Sequence, residues 1–195
     1  MEILKPAAAQ SASPLLPNRV PTRFLALSGL PGSGVTTVSR LLCSELDAMG
    51  LSMGAYPRLR LEAEGGVHGD LEAHLAEFRM ERERADRLVW IRPFHRRLVR
   101  LLRFAPPSRI VISGLLTQHE LAYCKTLGAR LVHLTAAPEV RKQRIGVRFP
   151  EHPVEAYDLL DKLSHGQPQL WDLIVDTDEP YAEFIKSVRA QIARF

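Results

Sequence analysis

Residues 24–37 read Phe-Leu-Ala-Leu-Ser-Gly-Leu-Pro-Gly-Ser-Gly-Val-Thr-Thr: an apolar run, a glycine turn and the opening of an amphipathic segment. Few local patterns restrict a chain's fold as tightly. The run 24–28 predicts a short buried strand, and the apolar spacing over 38–49 predicts a helix. Between them, Gly29, Gly32 and Gly34 let backbone N–H groups turn inward, with Ser33 and Val35 completing the loop. The following helix offers its positive end, and the hydroxyl of Thr36, followed by Thr37, is placed to hold a Mg²⁺ ion. Such a loop is suited to cradling the phosphates of a nucleotide such as ATP. A plain tight connector built by Pro31, Gly32 and Gly34 is the alternative, but it requires neither this glycine spacing nor two threonines after it.

One position departs from that pattern. Val35 stands where a lysine ordinarily reaches the β and γ phosphates and offsets the charge that develops during transfer. An apolar side chain does neither. Either another cation takes over, or the site binds without efficient chemistry.

The chain has 195 residues, 46% hydrophobic and 25% charged, enough for one domain with a sizeable core. Residues 1–21, rich in Pro, Ala and Ser, are expected to form a loose tail rather than a secretory signal, with a single domain over 22–195. No apolar run approaches the ~20 residues of a membrane span, and the expected location is the cytoplasm, the host's if the chain is viral. Cys43 and Cys124 fall in predicted helices without ligand spacing, so buried, reduced thiols are expected rather than a disulfide or zinc site.

Apolar patterning predicts strands at 24–28, 51–56, 109–113, 130–134 and 173–175. Helices are predicted at 38–49, over most of 71–104, at 119–127, from Pro138, at 154–163 and from Tyr181. Alternation of this kind implies an α/β fold, a parallel sheet with helices on both faces, with ligands at the carboxyl ends of the strands. A net charge of +4 favours anionic partners. Nine arginines lie between Arg79 and Arg103, interleaved with Leu88, Phe94 and Leu98, on a helical stretch expected to break or restart at Pro93. Two readings stand side by side: a solvated helix face, or a phosphate-binding surface suited to arginine's planar fork.

Four segments carry a wider resemblance: the glycine loop; Leu51-Ser52-Met53-Gly54-Ala55; Ile110-Val111-Ile112-Ser113-Gly114-Leu115 with the strand at Leu131; and Asp172-Leu173-Ile174-Val175-Asp176-Thr177-Asp178. Together they resemble the P-loop nucleoside monophosphate kinase superfamily, especially its dephospho-coenzyme A kinase-like and archaeal-type nucleotide kinase branch. The resemblance implies a P-loop kinase fold with a five-stranded parallel sheet and a short lid. Arg144-Ile145-Gly146-Val147-Arg148 is similar to the lid opening of adenylate kinase-like enzymes. This implies that Arg144 contacts the nucleotide base and that Arg148 contacts phosphates, partly replacing the missing lysine; two solvated arginines are the alternative.

Three positions that are polar in the family differ here: Val35 for lysine, Ala55 for aspartate and Ser113 for aspartate. Asp70, Glu62 or Glu64 could approach an acceptor hydroxyl, and Ser113 could hold a metal-bound water. The expectation is an ATP- and Mg²⁺-dependent kinase acting on a nucleotide-like acceptor. Thr36 holds the metal, Thr36, Ser113 and Arg148 act in catalysis, and Arg79, Arg84 and Arg87 hold the anionic acceptor. Phage kinases of this group that act on 5-hydroxymethyluracil in DNA suggest modified DNA as one acceptor, contacted by Arg96, Arg97 and Arg100. The alternative is a degenerate nucleotide-binding or scaffold protein.

Overall fold

A computed structural model describes residues 23–65, 71–148 and 171–178, with Glu183, Ile185, Lys186 and Ala190. The expected tail, lid and 154–163 helix lie outside the described residues. Chain order is β1 (Arg23–Gly29), α1 (Val35–Glu45), β2 (Met49–Ser52), α2 (Ala55–Ala63), α3 (Leu71–Ala85), α4 (Ile91–Phe104), β3 (Arg109–Leu115), α5 (Gln118–Thr126), β4 (Arg130–Thr135), α6 (Pro138–Arg148) and β5 (Leu173–Asp176). The five strands form one sheet in the order β2-β3-β1-β4-β5, and every pair is parallel. The α/β fold with a five-stranded parallel sheet is therefore as the sequence predicts.

Strand alternation explains why apolar runs are nearly continuous here: both faces of the sheet are covered. Ala26, Ile110, Ile112 and Leu131 point to one side, where Phe94 and Leu98 of α4 and Leu121 and Cys124 of α5 pack. Leu25, Leu27, Val111, Val132, Leu134 and Val175 point to the other, against Val38 and Leu42 of α1 and Ile185.

Three elements differ from expectation, the first being the helix expected over 38–49, which runs Val35–Glu45, so that Met49 already opens β2. The stretch 51–56 is not one strand: β2 ends at Ser52, and Ala55 and Tyr56 already belong to α2. Gly114 allows the close approach of this turn: at its φ of 76° a Cβ would lie 2.8 Å from the Gly54 nitrogen. The helical break falls at 86–90 rather than at Pro93, because the Asp86 carboxylate accepts a hydrogen bond from the Leu88 N–H at 3.1 Å and pairs with Arg92. Pro93 then sits in the first turn of α4, where its missing N–H costs little. Of the two free cysteines, Cys124 is buried and Cys43 is only half-buried. Burial pushes the Cys124 thiol up to about 12, which suits a packing role.

Candidate functional site

The carboxyl ends of β1, β2 and β3 open into a cavity of about 440 Å³. Gly29, Gly32, Val35 and Thr36 form one wall and Ser113 and Gly114 another, with Ser52, Gly54, Ala55 and Arg58 opposite and Arg79 reaching in from α3. Parallel sheets collect loops at this edge, so residues far apart in sequence meet here.

The loop's glycines have separate reasons. Gly32 (φ 83°) and Gly34 (φ 88°) adopt the left-handed conformation, and a Cβ on Gly32 would lie 2.7 Å from the Arg141 carbonyl oxygen. A Cβ on Gly29 would lie 2.3 Å from Ser33 Oγ. That Ser33 oxygen is buried without a hydrogen-bond partner. Helix α1 starts with no side-chain cap and no acidic residue in its first turn, leaving its N-terminus suited to an anion. The exposed Thr36 hydroxyl adjoins this N-terminus, and Thr37 is exposed next to it. These features fit a nucleotide phosphate chain with Mg²⁺ at Thr36.

The loop is held from behind by residues that composition did not single out. The Arg144 guanidinium donates to the Gly32 carbonyl at 3.3 Å and to Thr177 Oγ1 at 3.1 Å, and also reaches the Thr177 carbonyl. Thr177, buried at the end of β5, lies within hydrogen-bond distance of the Ser33 carbonyl (3.1 Å) and the Thr135 carbonyl (2.9 Å). Arg144 thus ties α6, β5 and the glycine loop together. Arg148 closes α6, and its side chain lies outside the described residues.

Arg79 is on the cavity wall but is also committed to a buried ion pair. It is 3% exposed, pairs with Glu120, and donates from Nε to Glu83 at 3.2 Å. Glu120 in turn accepts from the N–H groups of Leu116 (2.8 Å) and Thr117 (3.1 Å) and completes a capping box at the start of α5. Burial pushes the Glu83 carboxyl up to about 7, with Arg79 opposing the shift and Glu120 adding to it. The structure therefore places Arg79 in the wall and leaves Arg84 and Arg87 exposed, outside the cavity lining.

Arg58 is the residue that sequence reasoning missed. It follows Ala55 by three positions, so one face of α2 carries both into the cavity. Reading 51–56 as a strand hid that spacing. Among the described lining residues there is no carboxylate, and Arg58 and Arg79 are the cations. Glu62 and Glu64 are exposed and outside the lining, with Glu64 accepting from Arg82 at 2.7 Å. Asp70 lies outside the described residues. Among the described residues no group of three or more His, Cys, Asp or Glu side chains is arranged to hold a metal, and no helix is long and apolar enough to cross a membrane.

Comparison with solved structures places this fold among P-loop kinases. The chain is similar to a gluconokinase from Sinorhizobium meliloti 1021 (TM-score 0.58, 20% identity, covering 91% of this chain and 94% of that one). It is also similar to TT1252 from Thermus thermophilus (TM-score 0.61, 20% identity, 89% and 98%) and to shikimate kinase from Bacteroides thetaiotaomicron (TM-score 0.56, 16% identity, 88% and 97%). No curated protein matches the chain. A family model described as an AAA domain matches residues 25–153, which run from β1 through the glycine loop and beyond α6. With the glycine loop, the parallel sheet and this match in agreement, the chain belongs to the AAA domain family of P-loop proteins.

Proposed function

We propose that the protein is an ATP- and Mg²⁺-dependent phosphotransferase acting on a small anionic acceptor. The observation that carries this reading is convergence: the glycine loop, Thr36, Ser113, Arg58 and Arg79 all border one cavity at the carboxyl edge of the sheet. The backbone of 29–37 would hold the donor's phosphates, the Thr36 hydroxyl would hold Mg²⁺, and Ser113 would hold a metal-bound water. Mg²⁺ supplies neutralisation of phosphate charge when bound. Arg58 would face the transferred group in place of the lysine absent at Val35, with Arg148 as a second source of charge from α6. Arg144 would position the loop through Gly32.

The lack of a carboxylate among the described lining residues narrows the acceptor. An alcohol benefits from a base to take its proton, whereas a phosphate or carboxylate oxygen is already ionised at neutral pH. Arginines suit such an anion, as bidentate partners. A nucleotide-like phosphate acceptor is therefore favoured over an alcohol. Hydroxymethylated DNA is the less favoured acceptor, since Arg96, Arg97 and Arg100 are outside this cavity's lining.

A second reading has its own support: Val35, Ala55 and Ser113 all border the cavity, so the three departures from the family's polar set coincide in space. They favour a nucleotide-binding protein without transfer.

The deciding assay is transfer of label from γ-labelled ATP with Mg²⁺ to nucleoside monophosphates, dephospho-coenzyme A, and duplex DNA with and without hydroxymethylated pyrimidines. Label on a small phosphorylated acceptor is the expected result. Label on modified DNA alone would assign the activity to a DNA base. No transfer by folded protein that binds ATP would establish the binding role.

A further inference from the structure

Three of the arginines on α3 and α4 that the phosphotransfer cavity leaves unused, Arg82, Arg92 and Arg96, border a second hollow. It measures about 490 Å³, lies among α2, α3 and α4, and shares no described lining residue with the first. Arg60, Arg82, Arg92 and Arg96 converge on it from three helices, beside the apolar Leu59 and Val89. Two carboxylates answer four guanidinium groups: Glu64 pairs with Arg60 and Arg82, and Asp86 pairs with Arg92. Both carboxylates stand outside the lining. Arg96 has no hydrogen-bond or ion-pair partner among the described residues. Among the described residues the balance around the hollow is an excess of two positive charges.

Like charges gathered in a small volume raise the energy of the folded state unless an anion offsets them. The two carboxylates offset half and, through three ion pairs, hold Arg60, Arg82 and Arg92 in place. From this we infer that the hollow is a second binding site, for a small organic phosphate monoester. A dianionic phosphate matches the uncompensated charge and the forked donors of arginine. The hollow has the size of small-molecule sites and exceeds what a bare phosphate ion fills. Leu59, 59% exposed, and Val89 offer apolar surface to the body of the ester. The site also bears on the first cavity's wall, because α2 turns Ala55 and Arg58 to one hollow and Leu59, Arg60 and Ala63 to the other.

Phenyl phosphate is a direct probe, with phenol and inorganic phosphate as its two halves. Titration calorimetry on the full chain at low salt is expected to give saturable binding of one equivalent, at least about tenfold tighter than inorganic phosphate, with none for phenol. Arg96→Gln breaks no ion pair among the described residues and should weaken binding about tenfold, about 1.4 kcal/mol. Arg82→Gln should weaken it further, and Arg58→Gln should change it less than about twofold. Circular dichroism establishes that each variant is folded. Absence of binding, equal affinity for inorganic phosphate, or insensitivity to Arg96→Gln overturns the assignment. A loss in Arg58→Gln as large as in Arg96→Gln would place the probe in the first cavity and overturn it too. If a short DNA duplex displaces the probe with a steep salt dependence, the arginines belong to a nucleic-acid backbone and the small-ligand site is refuted.

Discussion

Val35 leaves the glycine loop with its backbone geometry but without its cation, so the position of Arg58 across the same cavity acquires a consequence. If Arg58 supplies the missing charge, Arg58→Gln lowers kcat/KM for transfer by about 100-fold, the scale of losing one electrostatic contact to the transition state. Adding Val35→Lys to that variant should then recover at least about tenfold, while Val35→Lys alone changes little. Rates of the four proteins decide the matter; independent, additive effects would show that the two positions do not share a role. Gly32 provides a second test. Its φ of 83° and the 2.7 Å approach of a Cβ to the Arg141 carbonyl mean that alanine must displace backbone. Gly32→Ala is expected to cost about 1–3 kcal/mol of stability in urea unfolding and to weaken nucleotide binding.

Helix α5 is secured by its capping box, in which Thr117 Oγ1 accepts from the Glu120 N–H at 3.4 Å and Glu120 accepts from the Thr117 N–H. Thr117→Ala should cost about 1 kcal/mol. Scanning calorimetry should record this as a fall in Tm of about 2–4 °C. The same glutamate links α5 to α3 through Arg79, and Glu83 completes the cluster. The carboxyl of Glu83 lies at about 7 in the fold against an ordinary 4.5, so folding favours its protonated form. Its contribution to stability is complete below about 4.5 and is lost as pH rises through about 7. Glu83→Gln should therefore show a smaller fall in stability than the unaltered chain between pH 5 and pH 8, measured by urea unfolding; an unchanged fall would remove Glu83 as the cause.

The two apolar layers of the molecule share their strands: Ala26 and Ile112 serve one, Leu25 and Val111 the other. Neither layer can lose its helices without exposing strands that the other needs. Leu98→Ala on α4 and Val38→Ala on α1 should each cost about 2–4 kcal/mol. Tryptophan fluorescence and far-ultraviolet circular dichroism should still report one common midpoint in each variant. Separate midpoints would show that the faces unfold independently. At this scale the fold also governs the site, because placing β1 between β3 and β4 sets Ser113 beside the glycine loop, although 76 positions separate Ser113 from Thr37.

The sequence by itself determined what depends on neighbouring residues: the glycines of the loop, the existence of five strands and the alternation that makes their sheet parallel. These follow from sterics and periodicity, which a short window contains. It misplaced the start of α2, since Leu51-Ser52-Met53-Gly54-Ala55-Tyr56 carries a strand-like pattern while the turn at Gly54 depends on the distant Gly114. The tertiary structure alone decided what each arginine meets. Arg79 is held by Glu120, Arg144 is tied to Gly32 and Thr177, and Arg58 is presented to the first cavity and Arg96 to the second. A guanidinium looks the same in every window of sequence, and its role is fixed by the charges that crossovers bring within a few ångströms of it.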